Sequence, residues 1–150
     1  MLKEAVETAY LHYNRALNNY EEIKNWTIDE KLFEDREKVK TADAFIFRFI
    51  KLQDYMGGTL FKRVLESVGE YKDNMSLLDE LDKLEKLEVI ENADEWMRFR
   101  KIRNILVHEY PDNAEQISQG ISKALSSFVT IGKILENITH YIKTKNLSPV

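Results

Sequence analysis

Arg103, His108 and Tyr110 lie close together in "RFRKIRNILVHEYPD", residues 98–112, and their side chains could do chemistry. Histidine has the unperturbed pKa nearest neutrality, so it can take and give protons at cellular pH. Arginine stays charged and grips phosphate oxygens in a fork. Together they could cleave RNA without a metal. The base would help a 2′-hydroxyl attack the adjacent phosphorus, and the guanidinium would stabilise the charge building on the phosphoryl oxygens. A plainer account exists. A histidine at a helix C-terminus is favoured by the helix dipole, and a tyrosine beside it can pack its ring on the core with its hydroxyl in water. Geometry also constrains the chemistry. Five residues separate Arg103 from His108, so on a straight helix they point about 140° apart. They serve one phosphate only if the helix end unwinds before Pro111 or if two chains pool their residues.

The surroundings are basic. Arg98, Arg100, Lys101 and Arg103 fall in a stretch without acids that runs to His108. Just upstream, Ser76 to Glu95 carries eight acids against two lysines, so the charge sign switches abruptly before the motif. The overall balance is −4. That total argues against a general nucleic-acid scaffold, but it leaves a local phosphate-binding patch open.

Other chemistries lack their residues. There is no cysteine, which excludes disulfides, thiolate metal sites and cysteine nucleophiles. The sequence contains no glycine-rich phosphate loop, nucleophile elbow or HExxH. His12, His108 and His140 are far apart, no pair has i, i+4 spacing, and no ExxH pair is present. Neither a metal nor a cofactor is therefore expected. His12 reads as surface or bundle edge, and His140 as exposed. Trp26 and Trp96 read as anchors near helix ends. The acidic stretch at 79–88 reads as a solvated helix face.

These residues must be positioned by helices. Leu2, Val6, Ala9, Tyr13, Ala16, Tyr20 and Ile23 alternate at spacings of four and three, one face of an α-helix. "TIDE" offers a capping box with Thr27 and Glu30. It would open a second helix through Val39, Ala42, Phe45, Phe49, Leu52 and Met56, stopped or bent at Gly57-Gly58. A short helix follows to Gly69, then a leucine-rich one through residues 78–87. Asn92 with Glu95 signals the start of the helix that carries the motif, and Pro111 predicts its end at about His108 to Tyr110. Asp112 with Glu115 would cap the last helix, whose apolar face runs from Ile117 to Ile142. No segment alternates with period two. The expectation is one all-α domain over residues 1–150, an up-and-down bundle of four long helices plus short ones.

Arg103, four intervening residues, His108, one residue and Tyr110 reproduce R-x4-H-x-Y. This pattern, late in an all-α chain with one long helix after it, resembles the HEPN superfamily. It looks specifically like the HepT-like toxins encoded beside minimal nucleotidyltransferases, and the likeness spans essentially the whole chain. The resemblance implies a metal-independent endoribonuclease acting as a homodimer, with the motifs of both subunits lining a shared cleft. It implies catalytic roles for Arg103 and His108, with Asn104 a possible assistant. It also implies that Tyr110 is the tyrosine that the partner nucleotidyltransferase adenylylates to silence the toxin. Many members use a polar or acidic residue of the second helix, and here Asp43, Arg48 and Asp54 all qualify. Arg98, Arg100 and Lys101 would hold the RNA backbone. The alternative is a non-catalytic, substrate-binding subunit of a two-component nucleotidyltransferase. The N-terminus lacks a signal-peptide pattern and no apolar run reaches the roughly 18 residues of a membrane span, so a cytoplasmic protein without a membrane partner is expected.

Overall fold

The computed structural model of the protein describes residues 1–108 and 113–147. Its regular elements are helices in this order: α1 (Leu2–Ile23), a 3₁₀ turn (Glu30–Glu34), α2 (Arg36–Tyr55), a π turn (Met56–Leu60), α3 (Phe61–Ser67), α4 (Leu77–Lys86), α5 (Ala93–His108) and α6 (Ala114–Thr144). No strand occurs among the described residues. The fold is all-α, as the helical periodicity predicts. No helix among them is long and apolar enough to cross a membrane.

The first and last long helices pack against each other. Tyr10 of α1 hydrogen-bonds Thr139 of α6 at 3.0 Å, while Tyr20 of α1 meets Phe128 of α6 at 5.1 Å between ring centroids. α1 and α6 are thus antiparallel. Tyr13 stacks on Phe128 at 5.1 Å and 9° between planes, and Phe45 of α2 meets the same ring edge-on. Phe128 therefore joins three helices. Gly132 makes room for Tyr13, because a Cβ there would stand 2.9 Å from the tyrosine ring. Most of the alternating apolar stripe is buried: Ala9, Ala16, Ile23, Phe45, Phe49, Leu52, Ile131, Leu135 and Ile138 are fully enclosed.

Two element boundaries differ from the sequence expectation. The second helix is not opened by Thr27. Asp29 caps the 3₁₀ turn, and Asp35 caps α2 by accepting from the backbone N–H groups of Glu37 and Lys38. An aspartate immediately before a helical run satisfies the orphan N–H groups of the first turn better than a threonine eight residues upstream can. Nor does Gly57-Gly58 stop the helix. The backbone passes through them in helical dihedrals as a π turn, making α2 and α3 one continuous helical rod. Gly57 lies under the Trp96 indole, which stabilises a turn that glycine alone would disfavour. The Asn92 cap agrees with expectation, its Oδ1 accepting from the Glu95 N–H at 3.2 Å. The Asp112 cap lies outside the described residues.

The acidic stretch holds one exception to the solvated-face reading. Glu80 of α4 is buried, and its Oε1 has no hydrogen-bond partner. Burial pushes its carboxyl above the usual glutamate range, against the smaller opposing pull of Lys62. The folded pKa thus exceeds the unfolded one, so the fold is penalised as pH rises above the ordinary value of 4.5. Glu80→Gln is expected to raise the melting temperature at neutral pH by a few degrees, at about 2–4 °C per kcal/mol. The gain should vanish below the ordinary glutamate pKa, as thermal melts at the two pH values will show. An unchanged neutral-pH melt would refute the penalty.

Candidate active site at the end of α5

α5 is held on α2 by two adjacent side chains. Gln53, buried, donates from Nε2 to the Phe99 carbonyl at 3.1 Å. One residue on, Asp54 receives Arg103 in a fork: Nε to Oδ1 at 3.0 Å and Nη2 to Oδ2 at 2.8 Å. The two bonds sit one helical turn apart along α5 and fix both its height and its rotation. The paired side chains remain 26% and 44% exposed, so this ion pair contributes little stability by itself. Its effect is geometric, since a bidentate fork defines the guanidinium plane. The hydrogen bonds that Arg103 donates to Asp54 also push its pKa further up.

The remaining guanidinium nitrogen, Nη1, donates to Asn104 Oδ1 at 3.2 Å. Asn104 is exposed, and His108, also exposed, stands four residues on, one turn further along the same face. A polar line therefore runs Asp54, Arg103, Asn104, His108 to the end of the helix. α5 keeps α-helical geometry through His108. Unwinding upstream of His108 is therefore not available to bring it round to Arg103, and the two side chains of one chain diverge.

Gly120 of α6 sets how closely this helix lies. A Cβ there would come within 3.1 Å of Leu106 Cδ2 and 3.5 Å of Ile105 Cγ2. A methyl there would require the Leu106 side chain to give way by a few tenths of an ångström.

Of the second-helix candidates, Asp54 meets the motif. Asp43 lies eleven residues earlier, about 16 Å away along α2. It is exposed, and its carboxyl is pushed up by surrounding protein. Arg48 lies six residues before Asp54 and faces a different side, over the Phe47 ring. Neither is brought to Arg103. Arg98, Arg100 and Lys101 are all exposed. Tyr110 lies outside the described residues. His140 is exposed and contacts Thr144 at 3.3 Å. Of the two readings of His12, bundle edge holds: it is half-buried against Tyr55, with ring centroids 5.5 Å apart. Among the described residues no group of three histidines, aspartates or glutamates converges as a metal site would require. Gln53 went unrecognised in the sequence because it sits beside Leu52 in the apolar stripe. Its one signal is a polar residue at a buried helical position.

The chain matches no protein-family model, no curated protein and no solved structure.

Proposed function

We propose that this chain is a metal-independent endoribonuclease of the HEPN type. In this reading it is a HepT-like toxin, controlled by a minimal nucleotidyltransferase that adenylylates Tyr110. The observation that carries the reading is the Asp54–Arg103 fork with Asn104 and His108 continuing along the same helix end. An aspartate that fixes the guanidinium plane of a half-buried arginine, five residues before an exposed histidine, adds little stability, so the pair is better explained by positioning than by folding. His108 serves as the proton-transfer group and Arg103 stabilises charge on the phosphoryl oxygens. Because the two diverge within one chain, the reading includes a homodimer in which the Arg103 of one protomer and the His108 of its partner face one phosphate. The bundle is then of the HEPN type, and Arg98, Arg100 and Lys101 contribute phosphate contacts.

The second reading, a non-catalytic binding subunit, keeps the same surface without proton transfer. Cleavage of RNA in EDTA separates the two. The purified protein is expected to cut single-stranded RNA with metal chelated, and strict dependence on a divalent metal would reject the mechanism. For the regulation, incubation with the partner nucleotidyltransferase and ATP should add AMP to Tyr110, seen by intact-protein mass spectrometry. The added phosphate competes for Arg103 and repels the RNA backbone. Tyr110→Phe should keep cutting and escape silencing, whereas a silenced Phe variant would reject Tyr110 as the target.

A further inference from the structure

Phe47 is a large ring left 52% exposed in the middle of α2. Two cations flank it: the Arg48 guanidinium carbon lies 5.2 Å from the ring centroid and the Lys51 Nζ 5.5 Å. Arg15 is exposed on α1, three residues after the His12 that packs on Tyr55 of α2. All three cations act on His12, whose pKa is pushed down first by burial and then by Arg15, Lys51 and Arg48. Among the described residues none of these three cations has an ion-pair partner. A protein of net charge −4 thus concentrates unpaired positive charge around one exposed aromatic ring.

We propose that this surface binds single-stranded nucleic acid, with Phe47 stacking on a base and Arg15, Arg48 and Lys51 holding the flanking phosphates. The features are those of a single-strand platform, an open aromatic face within a basic track. Exposed cation–π contacts are weak, about 0.5–1 kcal/mol, so the cations can turn from the ring to phosphate. A duplex hides its base faces and offers the ring nothing to stack on. A second copy of this chain is disfavoured as the occupant, because a twofold contact would bring like-charged clusters together. Two acids lie on the same side of α2. Asp54 is already taken by Arg103, and Asp43 stands one turn before Phe47. Phe47, Lys51 and Asp54 share one face of α2, with Phe47 about 10 Å from Asp54 along the axis. A strand engaged at Arg103 can therefore continue over Phe47. This continuity rests on the ribonuclease reading, but the binding does not.

The test is fluorescence anisotropy with a labelled oligodeoxythymidylate. It lacks the 2′-hydroxyl and so reports binding without cleavage. The intact protein should bind it with an affinity that falls as salt rises. Phe47→Ala should weaken binding about tenfold and Phe47→Trp should restore it. Arg15→Gln, Arg48→Gln and Lys51→Gln should each weaken binding and flatten the salt dependence. Equal affinity of Phe47→Ala and the unmodified protein would overturn the proposal. So would equal binding of a duplex, or a loss of dimer without loss of affinity in Phe47→Ala. Phe47-dependent binding without RNA cleavage would count against the nuclease reading alone. Cleavage lost in His108→Ala, with binding indifferent to Phe47, would count against this platform alone.

Discussion

His108→Ala is expected to lower RNA cleavage by about two to four orders of magnitude, the usual worth of a positioned proton-transfer group. The fold should be untouched, because His108 is exposed at the last position of α5. Arg103→Ala should cost about a hundred- to a thousandfold, as loss of a charge-stabilising donor does. Asp54 acts through Arg103, so Asp54→Ala should cost less than Arg103→Ala. In the Arg103→Ala background it should add almost nothing, because its partner is gone. Single-turnover cleavage of a labelled RNA, with far-ultraviolet circular dichroism as the folding control, reads all four proteins. Retained activity in His108→Ala would sink the assignment. A full additional loss in the double variant would show that Asp54 has a role of its own.

Trp96→Ala should give the largest loss of stability. Trp96 is 1% exposed, edge-on to Phe61 at 4.8 Å and to Phe99 at 5.9 Å. Beside the polar contacts of Gln53 and Asp54, it is a large apolar contact between α5 and the continuous α2–α3 helix. Its indole N–H reaches no acceptor, which offsets part of the gain from burying the ring. Truncation should still cost about 3–5 kcal/mol, a large share of a total of about 5–15 kcal/mol. Urea unfolding will measure it as a lower midpoint. Trp96→Phe should cost clearly less, since it keeps an aromatic edge and removes the unpaired donor. A shift below about 1 kcal/mol in the alanine variant would mean that the cavity collapses and α5 is held elsewhere.

The helices and their buried faces were legible in the sequence because spacings of four and three over long, proline-free runs have one solution, a helix with one face turned inward. The same holds for the Asn92 cap and for a motif helix extending at least to His108. Local signals of comparable strength competed at the start of α2, where Asp35 prevailed over Thr27. They competed again at Gly57-Gly58, where the Trp96 indole from a distant helix supplies packing that two glycines cannot signal. R-x4-H was visible as a pattern, but its meaning depends on what faces Arg103. Asp43, Arg48 and Asp54 are equivalent candidates on one helix until the rotation of α5 against α2 is fixed. Gln53 bound to the Phe99 carbonyl fixes it, and Asp54 then receives the guanidinium. In the same way Glu80 belongs to an acidic run like its neighbours, and only the packing of α4 removes it alone from water. Periodicity records which face a helix buries. Which side chains meet across two helices depends on their relative height and rotation, set by contacts between residues far apart in the chain.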